Sequence, residues 1–140
     1  MTNIKLFQGN KIRSTWNEEE GQWYFSVVDV VEVLTDSPNP RQYWRKMKDR
    51  DLKEYETYPF WVQLKLISLD GKNRATDCAN VKGLFRIIQS IPSPKAEPFK
   101  QWLAQVGYER VLEKELGRSV SNPNNYLPSQ NTKELEKGND

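Results

Sequence analysis

Trp23-Tyr24-Phe25-Ser26-Val27-Val28-Asp29-Val30-Val31-Glu32-Val33-Leu34 is the stretch on which the reading of the fold turns. The aromatic run that closes at Phe25 suits a strand. Val27, Val30, Val31 and Leu34 then recur at the spacing that gives a helix one buried face. Ser26 stands between the two as an N-cap, with Asp29 at the third helical position, able to reach back as in a capping box. A strand that passes straight into a helix is the expectation here.

Upstream, Ile4 to Phe7 reads as a short strand and Gln8-Gly9-Asn10 as its turn. Ile12, Ser14 and Trp16 alternate with Arg13 and Thr15, the period of a half-buried strand. Asn17-Glu18-Glu19-Glu20-Gly21 closes a hairpin onto Gln22 to Phe25, and its glutamates read as a solvated turn.

Downstream, Thr35-Asp36-Ser37-Pro38 marks a boundary, with Ser37 as cap and Pro38 at the first position of a helix that runs to about Asp51. On a wheel of 100° per residue, Tyr43, Trp44 and Met47 share a core-facing arc. Arg41, Arg45 and Lys48 cluster on one flank of it, and Lys46, Arg50 and Lys53 on another side. Residues 41–50 hold five bases and one acid, a composition suited to a polyanion, since each neutralised phosphate releases condensed counterions.

Glu54 to Pro59 reads as a loop and Phe60 to Leu69 as a strand. Asp70-Gly71 is a hairpin turn and Asn73 to Thr76 its return, with Lys72 and Arg74 at or beside the tip. Asn80 caps a helix whose stripe is Val81, Leu84, Phe85, Ile88 and Ile91, with Lys82, Arg86 and Gln89 opposite. This helix is expected to share one core with the strands that carry Trp16 and Trp23. Gly83 lowers helix propensity and so marks the close approach of a neighbour. Ala96, Phe99, Leu103 and Val106 form a further stripe, stopped by Gly107, and Tyr108 to Leu116 a short last helix with Gly117 behind it. The domain is thus expected over 1–117, and 118–140, polar and broken by prolines, as a disordered tail.

Composition sets bounds on function. A chain of 140 residues, 36% hydrophobic and 29% charged, is one soluble domain's worth. No apolar run approaches the ~18 residues of a membrane span, and Met-Thr-Asn-Ile-Lys lacks the apolar centre of a signal peptide. With the lone Cys78, this fits a cytoplasmic setting. The net charge of +2 conceals a segregation: −3 over residues 1–40, +6 over 41–100 and −1 over 101–140. A local basic face is expected rather than a chain that coats DNA.

The chain holds no histidine, which excludes a His-based triad, and one cysteine makes a zinc site untenable. Its seven glycines form no phosphate loop, and Asp70 and Asp77 lack calcium-loop spacing. No catalytic residue, metal or cofactor is expected.

Two blocks carry a resemblance. Trp23 to Leu34 is the first; the second is Asn80-Val81-Lys82-Gly83-Leu84-Phe85-Arg86-Ile87-Ile88-Gln89-Ser90, leading through Ile91-Pro92-Ser93-Pro94 to Gly107-Tyr108-Glu109-Arg110. Together, over roughly residues 11–112, they resemble the N-terminal domain of the BRO family, found in viral BRO proteins and prophage antirepressors. The wording from Ser90 to Lys100, followed by Gly107 to Arg110, resembles more closely the branch of DNA-damage-inducible protein D. After Arg110 this chain departs from that branch, with a short polar tail expected where the branch continues into a longer helical region.

The resemblance implies an α+β fold, small antiparallel hairpins or a meander packed with about four to five helices, and a nucleic-acid-binding or antirepressor role. The expectation is a non-enzymatic regulator of phage or prophage type whose partner is DNA, double-stranded. Arg41, Arg45, Lys46, Lys48 and Arg50 are the candidate phosphate contacts, with Lys72 and Arg74 as a second set. Gln42 is the helix residue suited to bidentate adenine readout. The alternative is a protein-interaction module that binds a repressor or a DNA-repair protein, through an exposed apolar patch for which Trp61 and Trp102 are candidates.

Overall fold

A computed structural model describes residues 2–117 and 123–125. Strand β1 (Asn3–Phe7) turns at Gln8-Gly9 into β2 (Asn10–Asn17), which returns as β3 (Gln22–Ser26). Without a linker, β3 becomes α1 (Val27–Thr35), and α2 (Pro40–Arg50) follows. A 3-10 turn (Lys53–Tyr55) leads to the hairpin β4 (Val62–Ile67) and β5 (Asn73–Asn80), then to α3 (Val81–Gln89) and α4 (Ala96–Leu116). The class is α+β: among the described residues, one five-stranded antiparallel sheet, ordered β1-β2-β3-β5-β4, with four α-helices.

Register follows the alternation read from sequence. Trp16 lies opposite Trp23, and their rings meet edge to face at 5.4 Å. Ile12 and Ser14 are buried, while Arg13 and Thr15 take the other face. Lys5, wholly buried on β1, lays its ammonium 3.2 Å from the centroid of the Trp23 ring, a cation–π contact that no pattern in the sequence announces.

A main core gathers Phe7, Ile12, Trp23 and Phe25 from the sheet with apolar side chains of all four helices. Leu84, Ile88 and Ile91 belong to it as their stripe predicts, and Phe85 and Val81 pack against it half-buried. Ile87, left out of that stripe, is fully buried. Gly83 is the close approach expected, because a Cβ there would stand 3.1 Å from Ala79 and from Phe60.

Only Cys78 to Asn80 of β5 pair with β3, so the outer β4–β5 hairpin reaches past the sheet. It folds back over the second face. The Ile67 N–H donates to Thr2 Oγ1 at 3.1 Å, and the Ile67 carbonyl accepts from Arg13 Nη1 at 3.2 Å. Beneath it lies a smaller core of Tyr24, Leu66 and Cys78.

Four local expectations need correction. Ser26 does cap α1, accepting from the Asp29 N–H at 3.3 Å, but the Asp29 carboxylate takes Arg13 instead of reaching back. The second helix starts two residues later than read, with Asn39 as cap, accepting from the Gln42 N–H at 3.2 Å, and Pro40 first. Ser37 spends its hydroxyl on the Asn39 N–H, in a turn. Gly107 does not stop a helix: α4 runs unbroken to Leu116 and ends at Gly117, whose φ of +67° glycine adopts freely. Of the tip glutamates, Glu20 is not merely solvated, since it accepts the Tyr24 hydroxyl at 2.6 Å. Within the tail expected from 118 onward, Pro123–Asn125 form a 3-10 turn beside β1, and the rest lies outside the described residues.

Candidate functional site

Helix α2 is built from an amphipathic pattern with an unusual start. Trp44 and Met47 are buried and Tyr43 packs half-buried beside them, so the helix is fixed in rotation. Lys48 and Arg50 in its last turn suit the negative end of the helix dipole. Its first turn carries no acid, and Arg41 sits there with its charge against the positive end. That placement does not serve helix stability.

The fixed rotation brings Arg41, Arg45 and Lys48 to one wall of an open cleft of about 240 Å³. The folded-back hairpin supplies the other wall through Ser68, Arg74, Ala75 and Thr76, and β2 contributes Arg13. Five cationic side chains thus line the cleft against one carboxylate, Asp77.

Asp77 sits at the base. It accepts from Trp44 Nε1 at 2.8 Å, from Lys48 Nζ at 2.9 Å and from Gln63 Nε2 at 3.4 Å. Burial pushes its carboxyl up, but the bonds from Trp44 and Lys48, the Lys48 charge and Gln63 together outweigh that and hold it below its ordinary value. Asp77 therefore stays ionised and fixes both the indole and the ammonium.

Arg13 is held more completely. Its Nε and Nη2 clamp the two Asp29 oxygens at 2.8 and 3.0 Å, its own N–H adds a bond of 2.9 Å, and Nη2 also reaches Ser26 Oγ at 3.2 Å. Hydrogen bonding to Asp29 raises its already high pKa. With Nη1 on the Ile67 carbonyl, this guanidinium ties β2, α1 and β4 together and has little capacity left for a ligand. Arg74 is paired with Asp70. Arg41 and Arg45 are exposed and have no ion pair among the described residues. The uncommitted charge of the cleft therefore resides in those two arginines.

Of the eight residues singled out from sequence, the cleft unites Arg41, Arg45, Lys48 and Arg74. Gln42 and Lys46 are exposed on α2 outside the cleft lining, and Arg50 is bound to its neighbour Asp51 at 3.1 Å. Lys72 is exposed at the hairpin tip. Arg13 and Asp77 were missed. Arg13 occupied the outward phase of its strand and Asp77 was weighed only for calcium, while the partners of their side chains lie 13 to 54 residues away, beyond any local pattern. Trp102 is buried, and Trp61 stacks half-buried on Trp44 and Phe60, so neither forms an exposed apolar patch.

Among the described residues no group of three or more His, Cys, Asp or Glu is placed to hold a metal ion. No helix of theirs is long and apolar enough to cross a membrane. No curated protein and no solved structure matches the chain. One family model does, over residues 11–112: BRO family, N-terminal domain.

Proposed function

Because the chain belongs to the BRO family, through an N-terminal domain of a generally non-catalytic kind, we propose that it is a non-enzymatic, double-stranded-DNA-binding regulator of phage or prophage type, antirepressor-like in role. The observation that carries this reading is the pair Arg41 and Arg45, without an ion pair among the described residues, on the wall of a cleft with five cations and one carboxylate. Phosphate oxygens are the ligand that such a wall suits, since guanidinium takes them bidentately. Arg41 and Arg45 make the main backbone contacts. Lys48 and Arg74 lend charge while remaining on Asp77 and Asp70. Lys46, Arg50 and Lys72 serve at the margin, and Gln42, next to Arg41 on the exposed side of α2, is the candidate base reader.

The test is a salt titration of binding to random duplex. Arg41→Ala with Arg45→Ala removes two phosphate contacts and no buried surface, so the fold should survive. Each lost contact should lower the slope of log affinity against log salt by about 0.9. Binding should weaken on all sequences alike, because phosphates carry no sequence information. An unchanged slope removes α2 from the interface. No binding by the wild type at low salt would favour a protein partner, a repressor or a DNA-repair protein.

A link to the DNA-damage response is the finer part of the proposal and rests on the wording from Ser90 to Lys100 and from Gly107 to Arg110. Levels of the protein that do not rise after DNA damage would remove it.

A further inference from the structure

We infer that the tip of the β4–β5 hairpin is a wedge for DNA, with the Leu69 side chain entering between base steps from the minor groove while α2 holds the backbone. The inference rests on the duplex-binding reading above. Leu69 is 110% exposed, at a position where tight turns ordinarily carry polar residues. A leucine there adds nothing to either core. Leucine is among the apolar side chains that proteins insert between base steps, unstacking them and kinking the duplex.

Three observations set it apart from a stray surface leucine. The first is rigidity. The Ser68 N–H donates to the Lys72 carbonyl at 2.9 Å and the Gly71 N–H to the Ser68 carbonyl at 2.9 Å. Gly71 has a φ of +80°, and the Lys72 N–H donates to Asp70 Oδ1 at 3.0 Å. A wedge has to be stiff to unstack bases.

The second is charge. Asp70, the carboxylate of this tip, is bound by Arg74, which leaves Lys72 exposed beside Leu69. The tip therefore does not repel phosphates. The third is position. Ser68, the neighbour of Leu69, lines the same cleft as Arg41 and Arg45. A duplex whose backbone rests on α2 meets this tip next.

The experiment measures end-to-end energy transfer on a duplex of about 20 base pairs with a flexible central TA step. The wild type should kink it by about 20–90°. Leu69→Ala should bind with the same salt slope but leave the duplex straight, whereas Leu69→Met, still apolar, should keep the kink. The side chain lies outside the cores, so both variants should melt like the wild type. A Leu69→Ala variant that kinks DNA as the wild type does overturns the inference, as does wild type that binds without kinking. Failure of the wild type to bind duplex at any salt brings down the reading of α2 and the wedge with it, an outcome distinct from the other two.

Discussion

Asp77 is the residue on which the cleft depends. Trp44 and Lys48 both donate to one of its oxygens, and Trp44 is what fixes the rotation of α2. Because its folded pKa lies below the ordinary carboxylate value, its stabilising contribution is present above the unfolded pKa and is lost as pH falls through the folded one. The loss belongs below about pH 4, where an unperturbed aspartate takes its proton. Asp77→Asn should lower stability at neutral pH by about 1.5–3 kcal/mol, the range for hydrogen bonds to a charged group. It should also flatten the acid limb of a plot of melting temperature against pH. The same change removes the carboxylate that lines the cleft, which raises the net charge there by one, and should tighten DNA binding at low salt. A variant whose acid limb matches the wild type would show that Asp77 is not what the low-pH transition titrates. Nothing near position 77 in the sequence foretells this, because the donors come from a helix some thirty residues earlier.

At the level of elements, α3 and α4 meet at a glycine read as a terminator. A Cβ on Gly107 would stand 2.7 Å from Val81 Cγ2, closer than carbon atoms approach. In an open helix, Gly→Ala would gain about 1 kcal/mol. Overpacking costs about 1–3 kcal/mol, so Gly107→Ala should destabilise the protein. In a Val81→Ala background the clash is gone and the same substitution should stabilise instead. Urea midpoints for the four proteins of that cycle decide it, and an equal effect in both backgrounds would sink the claim. The hairpins, the strand that passes into α1 and the Asn80 cap were all legible, because turn type and side-chain period are local properties. So was the flank of Arg41, Arg45 and Lys48, which needs only a helical wheel and a buried Trp44. The start of α2 was not, since Ser37-Pro38 and Asn39-Pro40 satisfy the same local rule. Asp29 and Gly107 failed for a shared reason. Each obeys a local rule that a distant side chain overrides, Arg13 in one case and Val81 in the other.

Across the whole molecule, the fold-back of the hairpin unites what would otherwise be separate pieces. Arg13 clamps α1 and the end of β4, Thr2 meets the same residue of β4, and the small core is sealed underneath. Sheet, helices and hairpin should therefore unfold as one two-state unit. Cys78 lies in that sealed core, fully buried between strands, and burial pushes its thiol up to about 12. A thiol that stays protonated and out of reach does not alkylate or oxidise while the protein is folded. Labelling should then proceed only through opened molecules, with a denaturant dependence equal to that of global unfolding. Fast labelling in native buffer would reveal instead that the hairpin lifts off by itself. Position 78 thus serves as a built-in clock. A thiol-reactive dye would time how often each molecule comes apart, and DNA that grips only the folded form should make that clock run slow.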